Sequence, residues 1–254
     1  MNAITYGYRQ SHLEKGSSYQ AKFLENPRRR LTWKIEQRIL DTIFDRYTTQ
    51  RQVDYQVDYL DFACGTGRIL KHLEGRVASS TGVDLSPSML KVASARTSHS
   101  QLYQVDITRD PTLSNANYDL ITAFRFFPNA EQQLREDAIK QLASLLREDG
   151  LLVFNNHRST GFIRNRIARR ITRGKRGNHG MSSREVLKLI EWAGLEILAT
   201  YHTEVVPELE SQLFYPRWCV ELAESICARL PLANLAHDVV YVCQRRKSTA
   251  PESL

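Results

Sequence analysis

Cysteines are few in this sequence, and long apolar runs are missing from it. Four cysteines among 254 residues, with no C-x-x-C pair, make neither a disulfide framework nor a zinc site, so we expect reduced thiols. No apolar run approaches the roughly 18–20 residues that a membrane-spanning helix requires. The first residues also lack the apolar stretch of a secretory signal. These absences predict a cytoplasmic globular protein.

Acidic residues are missing from residues 158–184, which contain nine lysines and arginines. Without these nine charges the net charge of the chain falls from +7 to −2. The sequence therefore describes a near-neutral body that carries one basic segment.

Isoleucines recur along this basic segment at Ile163, Ile167 and Ile171, a spacing that predicts a basic amphipathic helix. Three interpretations stay open. The helix is a lid that packs its isoleucines on the core, or its arginines recognise an anionic acceptor molecule, or it binds nucleic acid or an anionic membrane surface. Binding to RNA is disfavoured, because no RNA-binding module accompanies the segment and no aromatic residue follows Phe162 within it.

Strand-like and helix-like segments alternate along most of the chain, which predicts a parallel sheet with helices on both faces. An amphipathic helix over residues 31–47 precedes the alternation. We expect an N-terminal arm or lid over residues 1–30, one domain over residues 31–246 with a basic insertion or lid over residues 158–180, and a flexible tail over residues 247–254. The predicted strands are 55–62, 80–85, 101–107, 118–124, 150–157, 195–206 and 237–246, and the predicted helices within the alternation are 67–75, 86–97, 130–148, 182–194 and 217–230.

A glycine pair, Gly65 and Gly67, connects the first predicted strand to the following helix. Glycines at such a turn let the backbone approach a ligand closely at the positive end of the helix dipole. A dinucleotide-binding loop has a third glycine, where this sequence has Leu70. The loop is therefore not suited to a pyrophosphate, but the helix end could receive a carboxylate.

Three acidic residues, Asp61, Asp84 and Asp106, are predicted to end three successive strands. The carboxyl ends of parallel strands form the edge at which open α/β sheets bind ligands. Asp84 follows Gly67 by 17 residues, close to the roughly 20 at which an acidic residue reaches ribose hydroxyls in nucleotide-binding folds.

These segments together resemble the class I S-adenosylmethionine (SAM)-dependent methyltransferases. LDFACGTG is similar to their first motif, VDLSPSML to their second and QVDI to their third, while YDLITAFRFFPN and LREDGLLVFNNH are similar to their fourth and fifth strands. The resemblance implies a Rossmann-like, doubly wound, mostly parallel seven-stranded sheet that binds SAM and releases S-adenosylhomocysteine (SAH). One departure is Ala63, where many members have glycine.

The resemblance also implies the cofactor contacts. Gly65 and Gly67 would approach the amino-acid portion of SAM, and Asp61 would bind its ammonium group. Asp84 would bind the ribose diol and Asp106 the adenine amine, between the side chains of Met89 and Ile107. The complete predicted cofactor set is Asp61, Ala63, Cys64, Gly65, Thr66, Gly67, Asp84, Leu85, Met89, Asp106, Ile107 and Phe124.

Candidates for the acceptor side follow the fourth and fifth predicted strands. His157 ends the fifth strand, and imidazole can take a proton near neutral pH. We therefore predict that His157 is the catalytic base, with a structural histidine at a strand–loop junction as the alternative. The predicted acceptor contacts are Arg125, Phe127, Asn156 and His179, and Phe126, Asn129 and Asn155 lie among them in sequence.

Two subclasses are disfavoured. A metal-dependent catechol-type site needs acidic residues after the fourth and fifth strands, where this chain has Arg125, Asn155 and Asn156, so we predict no metal. DNA amino-methylating enzymes carry an Asn/Asp-Pro-Pro-Tyr motif where this chain has FRFFPN.

The favoured function is methyl transfer to a small or medium-sized acceptor, such as an oxygen of a sugar, glycan or secondary metabolite. The alternatives are methylation of RNA or protein, and a SAM-binding regulator without catalysis.

Overall fold

A computed structural model describes residues 25–51, 56–113, 115–157, 180–203 and 236–246, and short helical pieces at 218–219, 222–223 and 226. His179, most of the predicted basic segment and the predicted C-terminal tail lie outside the described residues, as does the arm over residues 1–24. In the described part, no helix is both long and apolar enough to cross a bilayer.

Helix α1 (Pro27–Arg51) forms where the amphipathic pattern predicted it, but it begins four residues earlier. Residues 27–30 therefore belong to this helix and not to the predicted N-terminal arm. Its buried face includes Ile39, Leu40 and Ile43, and this stripe packs on one face of the sheet.

The sheet has seven strands in the order β3-β2-β1-β4-β5-β7-β6. Strands β1 to β5 pair in parallel, and only β7 runs against its two neighbours. This arrangement confirms the predicted mostly parallel Rossmann-like sheet. The strands are β1 (Asp58–Phe62), β2 (Ser79–Asp84), β3 (Gln101–Gln104), β4 (Tyr118–Ala123), β5 (Leu146–His157), β6 (Leu195–Thr203) and β7 (Asp238–Arg245).

Helices cover both faces of the sheet. The helices after α1 are α2 (Arg68–Leu73), α3 (Pro87–Arg96), α4 (Gln132–Ser144) and α5 (Ser183–Trp192). One core cluster contains the buried residues of α4 and α5, and the other contains those of α1 and α2. Ser86 caps α3, and Ser182 and Glu185 form a capping box on α5, as their positions before apolar runs would predict.

Two boundaries differ from the predicted ones. Strand β3 ends at Gln104, so Asp106 lies in the loop two residues later and does not end the strand. Strand β5 begins at Leu146, within the predicted helix 130–148. Leu146 pairs with Tyr118 before an irregularity in the β4–β5 register. Because of this pairing, residues 146–148 belong to the strand although they continue the helical pattern of α4.

Helix α1 reaches both edges of the sheet. Near its C-terminal end, the hydroxyl of Tyr47 donates to Asp119 Oδ1 at 3.3 Å, at the start of β4. Nearer its N-terminal end, Glu36 accepts from Arg125, two residues beyond the end of β4. The N-terminal half of α1 therefore lies at the carboxyl edge, where the predicted site is.

Candidate active site

In the loop between β1 and α2, every second residue has a left-handed backbone conformation. Ala63, Gly65 and Gly67 have φ values of 54°, 55° and 67°. A Cβ at Gly65 would meet nothing within 4 Å, whereas one at Gly67 would lie 3.0 Å from Ala93 Cβ. Gly67 therefore permits close packing of α2 on α3, and Gly65 leaves space beside the loop for a ligand.

Asp84 and Arg96 hold this loop in place. The amide of Gly65 donates to Asp84 Oδ2 at 2.8 Å, and the amide of Ser86 donates to Oδ1 of the same carboxylate at 2.8 Å. From the end of α3, Arg96 Nη1 donates to the carbonyl oxygen of Thr66 at 2.8 Å. These bonds fix the loop before any ligand arrives.

Asp61 is a buried carboxyl group at the carboxyl edge, and only 2% of the residue is exposed. Thr122 on β4 donates to its Oδ1 at 2.7 Å. Burial, with a smaller contribution from the charge of Asp84, raises the pKa of Asp61 to about 7, although bonds from Thr122 and the Leu70 amide act in the opposite direction. A desolvated carboxyl group of this kind is stabilised as an anion by a cation, and the ammonium group of SAM fits that requirement.

The remaining cofactor candidates lie in the segments that follow β1, β2, β3 and β4. Asp106 Oδ1 accepts from the amide and hydroxyl of Thr108, at 3.1 and 2.6 Å. Met89 and Ile107 are buried. Burial also raises the pKa of the Cys64 thiol, which keeps this thiol protonated and unreactive. Thr66 and Phe124 are buried, and Leu85 follows β2. The structure brings Asp61, Gly65 and Asp84 together, while their contacts with a bound cofactor stay predictions.

Arg125 forms hydrogen bonds to several segments on the predicted acceptor side. Its φ is 62°, a conformation that side chains other than glycine rarely adopt. Its amide donates to Asn155 Oδ1 at 2.6 Å, and its carbonyl oxygen accepts from Asn129 Nδ2 at 2.6 Å. Its guanidinium donates from Nη2 to Glu36 Oε1 at 2.7 Å. Two of these bonds thus hold the strained backbone, and the third connects the side chain to α1.

A buried polar row continues from Arg125 across the sheet. Asn155 Nδ2 donates to both carboxylate oxygens of Asp238 on β7, at 2.9 and 3.2 Å. Glu36, Asn155 and Asp238 are each at most 2% exposed. The sequence analysis did not identify Glu36 or Asp238. Glu36 did carry a signal, because a glutamate on the same helical stripe as Leu40 indicates a buried charge that needs a partner.

The other predicted acceptor contacts lie in different parts of the structure. Phe127 is fully buried in the core, with its ring centroid 4.8 Å from that of Phe154. Asn156 is buried and bonds both the carbonyl oxygen and the amide of Met181, at 2.8 and 3.3 Å. His157 ends β5 opposite Asp238 and is partly buried. His179 lies outside the described residues.

Comparison with known proteins finds matches in the central part of the chain. Residues 60–150 match a family described as a methyltransferase domain. An uncharacterized methyltransferase of Anoxybacillus flavithermus is 31% identical over 104 residues, which cover 41% of this chain and 47% of the relative. The malonyl-[acyl-carrier protein] O-methyltransferase of Acetivibrio thermocellus is 28% identical over 127 residues, covering 48% of this chain and 42% of the relative. The chain thus spans about half the length, or less, of the curated relatives it matches.

Solved structures agree on the fold over a longer stretch. The magnesium protoporphyrin IX methyltransferase of Synechocystis, with bound SAH, superposes with a TM-score of 0.61 at 14% identity, covering 94% of this chain and 97% of that one. A SAM-dependent methyltransferase of Clostridium acetobutylicum gives 0.56 at 15% identity, covering 82% and 90%. Residues 60–150 thus match a methyltransferase domain, within a sheet that has the fold of SAM-dependent methyltransferases of known structure.

Proposed function

We propose that this protein transfers the methyl group of SAM to an oxygen of a small or medium-sized acceptor such as a sugar, glycan or secondary metabolite. One observation carries the proposal. Polar side chains cluster on the sheet face that α1 covers: Asp61 and Thr122 are hydrogen-bonded neighbours on β1 and β4, and Asn155 and His157 follow Val153, the β5 partner of Thr122. Since neighbouring strands are about 4.8 Å apart, an acceptor bound over β4 and β5 is adjacent to the cofactor residues.

The chain's own residues would hold the cofactor by complementary charge. Asp61 would bind the ammonium group, Asp84 the ribose hydroxyls and Asp106 the adenine amine, with the glycine loop beside the amino-acid portion. When bound, SAM supplies an electrophilic methyl group on a sulfonium, whose carbon–sulfur bond breaks as the acceptor oxygen bonds the carbon. The fixed loop and the buried carboxyl group then contribute mainly by orientation.

His157 is the proposed general base. It is the last residue of β5, three positions beyond Phe154, which pairs with the last residue of β4. At about 3.3 Å per residue, its backbone extends about 10 Å past the end of β4 into the acceptor side. Its imidazole would take the proton that the acceptor hydroxyl loses as the new carbon–oxygen bond forms.

The test measures SAH release from SAM with a panel of hydroxylated acceptors by mass spectrometry. His157→Gln should lower kcat by about 10²–10⁴-fold and remove the acidic limb of the pH profile of kcat. His99→Gln, at an exposed histidine after α3, is the matched control and should leave both unchanged. A His157→Gln variant with wild-type kcat would make this histidine structural. Absence of SAH release with every acceptor would favour the SAM-binding regulator.

A macromolecular acceptor is the second candidate. The basic residues of 158–184 support it, as does the relative whose name gives an acyl-carrier protein as its substrate. Replacing Arg164, Arg166, Arg169 and Arg170 by glutamine tests it. Loss of salt-dependent RNA or liposome binding, with unchanged small-molecule kinetics, would support a surface role. A selective rise in the KM of an anionic small acceptor would instead assign the segment to acceptor recognition.

A further inference from the structure

One carboxylate oxygen at the acceptor side has no donor. Glu36 Oε1 accepts from Arg125, whereas Oε2 is buried and, within the described part of the chain, has no hydrogen-bond donor. Glu36 as a whole is only 1% exposed. Buried carboxylate oxygens that lack a donor are strongly unfavourable, so an oxygen left in this state indicates a position that a ligand completes.

Glu36 lies at the carboxyl edge of the sheet, on the predicted acceptor side. Its partner Arg125 begins the turn after β4, and 25% of the Arg125 side chain is exposed, so the pair is directly beneath the surface of the carboxyl edge. On the same face of the sheet, the hydroxyl of Thr203 at the end of β6 is also buried, and in the described residues its oxygen too has no hydrogen-bond partner. Glu36 lies beside the turn after β4, and Thr203 lies two strands beyond β5.

The charges of this row indicate what kind of group completes it. Glu36 and Asp238 contribute two buried carboxylates, and Arg125 already donates to one of them. An anionic ligand group placed at Glu36 Oε2 would meet a like charge at hydrogen-bonding distance in a site with little water. A hydroxyl or amino group would instead donate a hydrogen bond to a charged oxygen, which is a strong interaction when desolvated.

We propose that Glu36 binds the acceptor, with Oε2 accepting a hydrogen bond from a hydroxyl or amino group, so that the anchoring group of the acceptor is neutral or cationic and not anionic. The inference rests on the proposed function and specifies its substrate class. Glu36 serves as an anchor, and the proton of the reacting hydroxyl still goes to His157.

The experiment uses the full chain saturated with SAH and two sets of matched probes. One set is glucose, glucosamine and glucuronate, and the other is benzyl alcohol, benzylamine and benzoate, each titrated at millimolar concentrations by ligand-observed NMR. We expect the alcohol or the amine of at least one set to bind wild-type protein at least about tenfold more tightly than its carboxylate partner. Glu36→Gln should reduce that preference to about threefold or less, because the neutral amide no longer discriminates by charge.

Asp41→Asn is the matched control. Asp41 is on the same helix, 40% of its side chain is exposed, and it bonds His72 and Arg76. This variant loosens the attachment of α1 to α2 without touching Glu36 and should keep the wild-type preference. The affinity for SAH, measured in every variant, shows whether the fold is intact. If Glu36→Gln does not fold, the order of the probe affinities in wild-type protein tests the inference by itself.

Several results would overturn the inference. The carboxylate probes could bind more tightly, the preference for the alcohol or amine could survive Glu36→Gln, or no probe could bind to the SAH complex. Failure of wild-type protein to bind SAH would contradict the proposed function itself. The two proposals therefore fail in different measurements.

Discussion

The amide of Gly65 donates to the carboxylate of Asp84 across 19 residues of sequence, at 2.8 Å. This bond connects the loop that follows β1 to the end of β2. One side chain thus shapes the glycine loop and also stands where the ribose hydroxyls are expected. Its removal should affect cofactor binding by both routes.

Asp84→Ala should weaken SAM binding by about 1.5–3 kcal/mol, because the ribose hydroxyls lose a charged acceptor and the loop loses its anchor. Calorimetric titration of SAM against wild type and variant measures the change. Asp110→Ala, which removes an exposed aspartate after β3, is the control. A dissociation constant unchanged by Asp84→Ala would remove this residue from the cofactor site.

Asp61 should make SAM affinity depend on pH. Its pKa in the ligand-free protein is about 7, and a bound ammonium group stabilises the ionised form, so the pKa of Asp61 is lower in the complex. Below pH 7, SAM binding must therefore release a proton, and the affinity should fall by about tenfold per pH unit until the pKa of the complex is reached. Above pH 7 the affinity should level off.

Calorimetry in buffers of different ionisation enthalpy counts the released protons. Asp61→Asn cannot ionise, so it should bind SAM more weakly at pH 8 and show no dependence on pH between 5 and 7. A wild-type affinity that is constant over this range would show that the ammonium group of SAM binds elsewhere.

Ala63→Gly should stabilise the protein. Alanine in the left-handed region costs about 1–2 kcal/mol, whereas glycine adopts it freely. The greater flexibility of glycine in the unfolded chain offsets about 0.5–1 kcal/mol of this gain. We expect a net increase of up to about 1 kcal/mol in the free energy of unfolding, measured by urea denaturation. Ala138→Gly, in the buried face of α4, should lower it by about 1 kcal/mol or more, and a similar loss at residue 63 would contradict the strain argument.

Methyl transfer should persist in excess EDTA. Within the described residues, no group of three or more His, Cys, Asp or Glu side chains is placed to hold a metal ion. The positions after β4 and β5 carry Arg125, Asn155 and Asn156, which repel a cation or bind it weakly. SAH release with and without chelator is the measurement. Activity that disappears with EDTA and returns with magnesium would show that the prediction is wrong.

The sequence predicted those features that depend on local pattern. The parallel pairing of most strands, with helices on both faces, followed from the alternation, and the position of the glycine loop followed from Gly65 and Gly67. The start of β5 was wrong, because Leu146 continues the helical spacing of α4 but pairs with Tyr118 on a strand 28 residues earlier. The buried row was missed for a similar reason. Glu36 and Asp238 meet Arg125 and Asn155 only in the folded sheet, and nothing in their local sequence indicates those partners.

One half of helix α1 packs in the core, and the other half lies at the proposed acceptor side. Ile39 to Tyr47 pack on the sheet and bond its amino edge, so substitutions there would be limited by stability. Residues 27–38 approach the carboxyl edge, where Glu36 contacts the β4 turn. On the proposed role of Glu36, we expect changes in the exposed residues of this half to alter which acceptors bind while the sheet and the cofactor loop stay intact. Divergent relatives could therefore acquire new substrates through exchanges in about three helical turns.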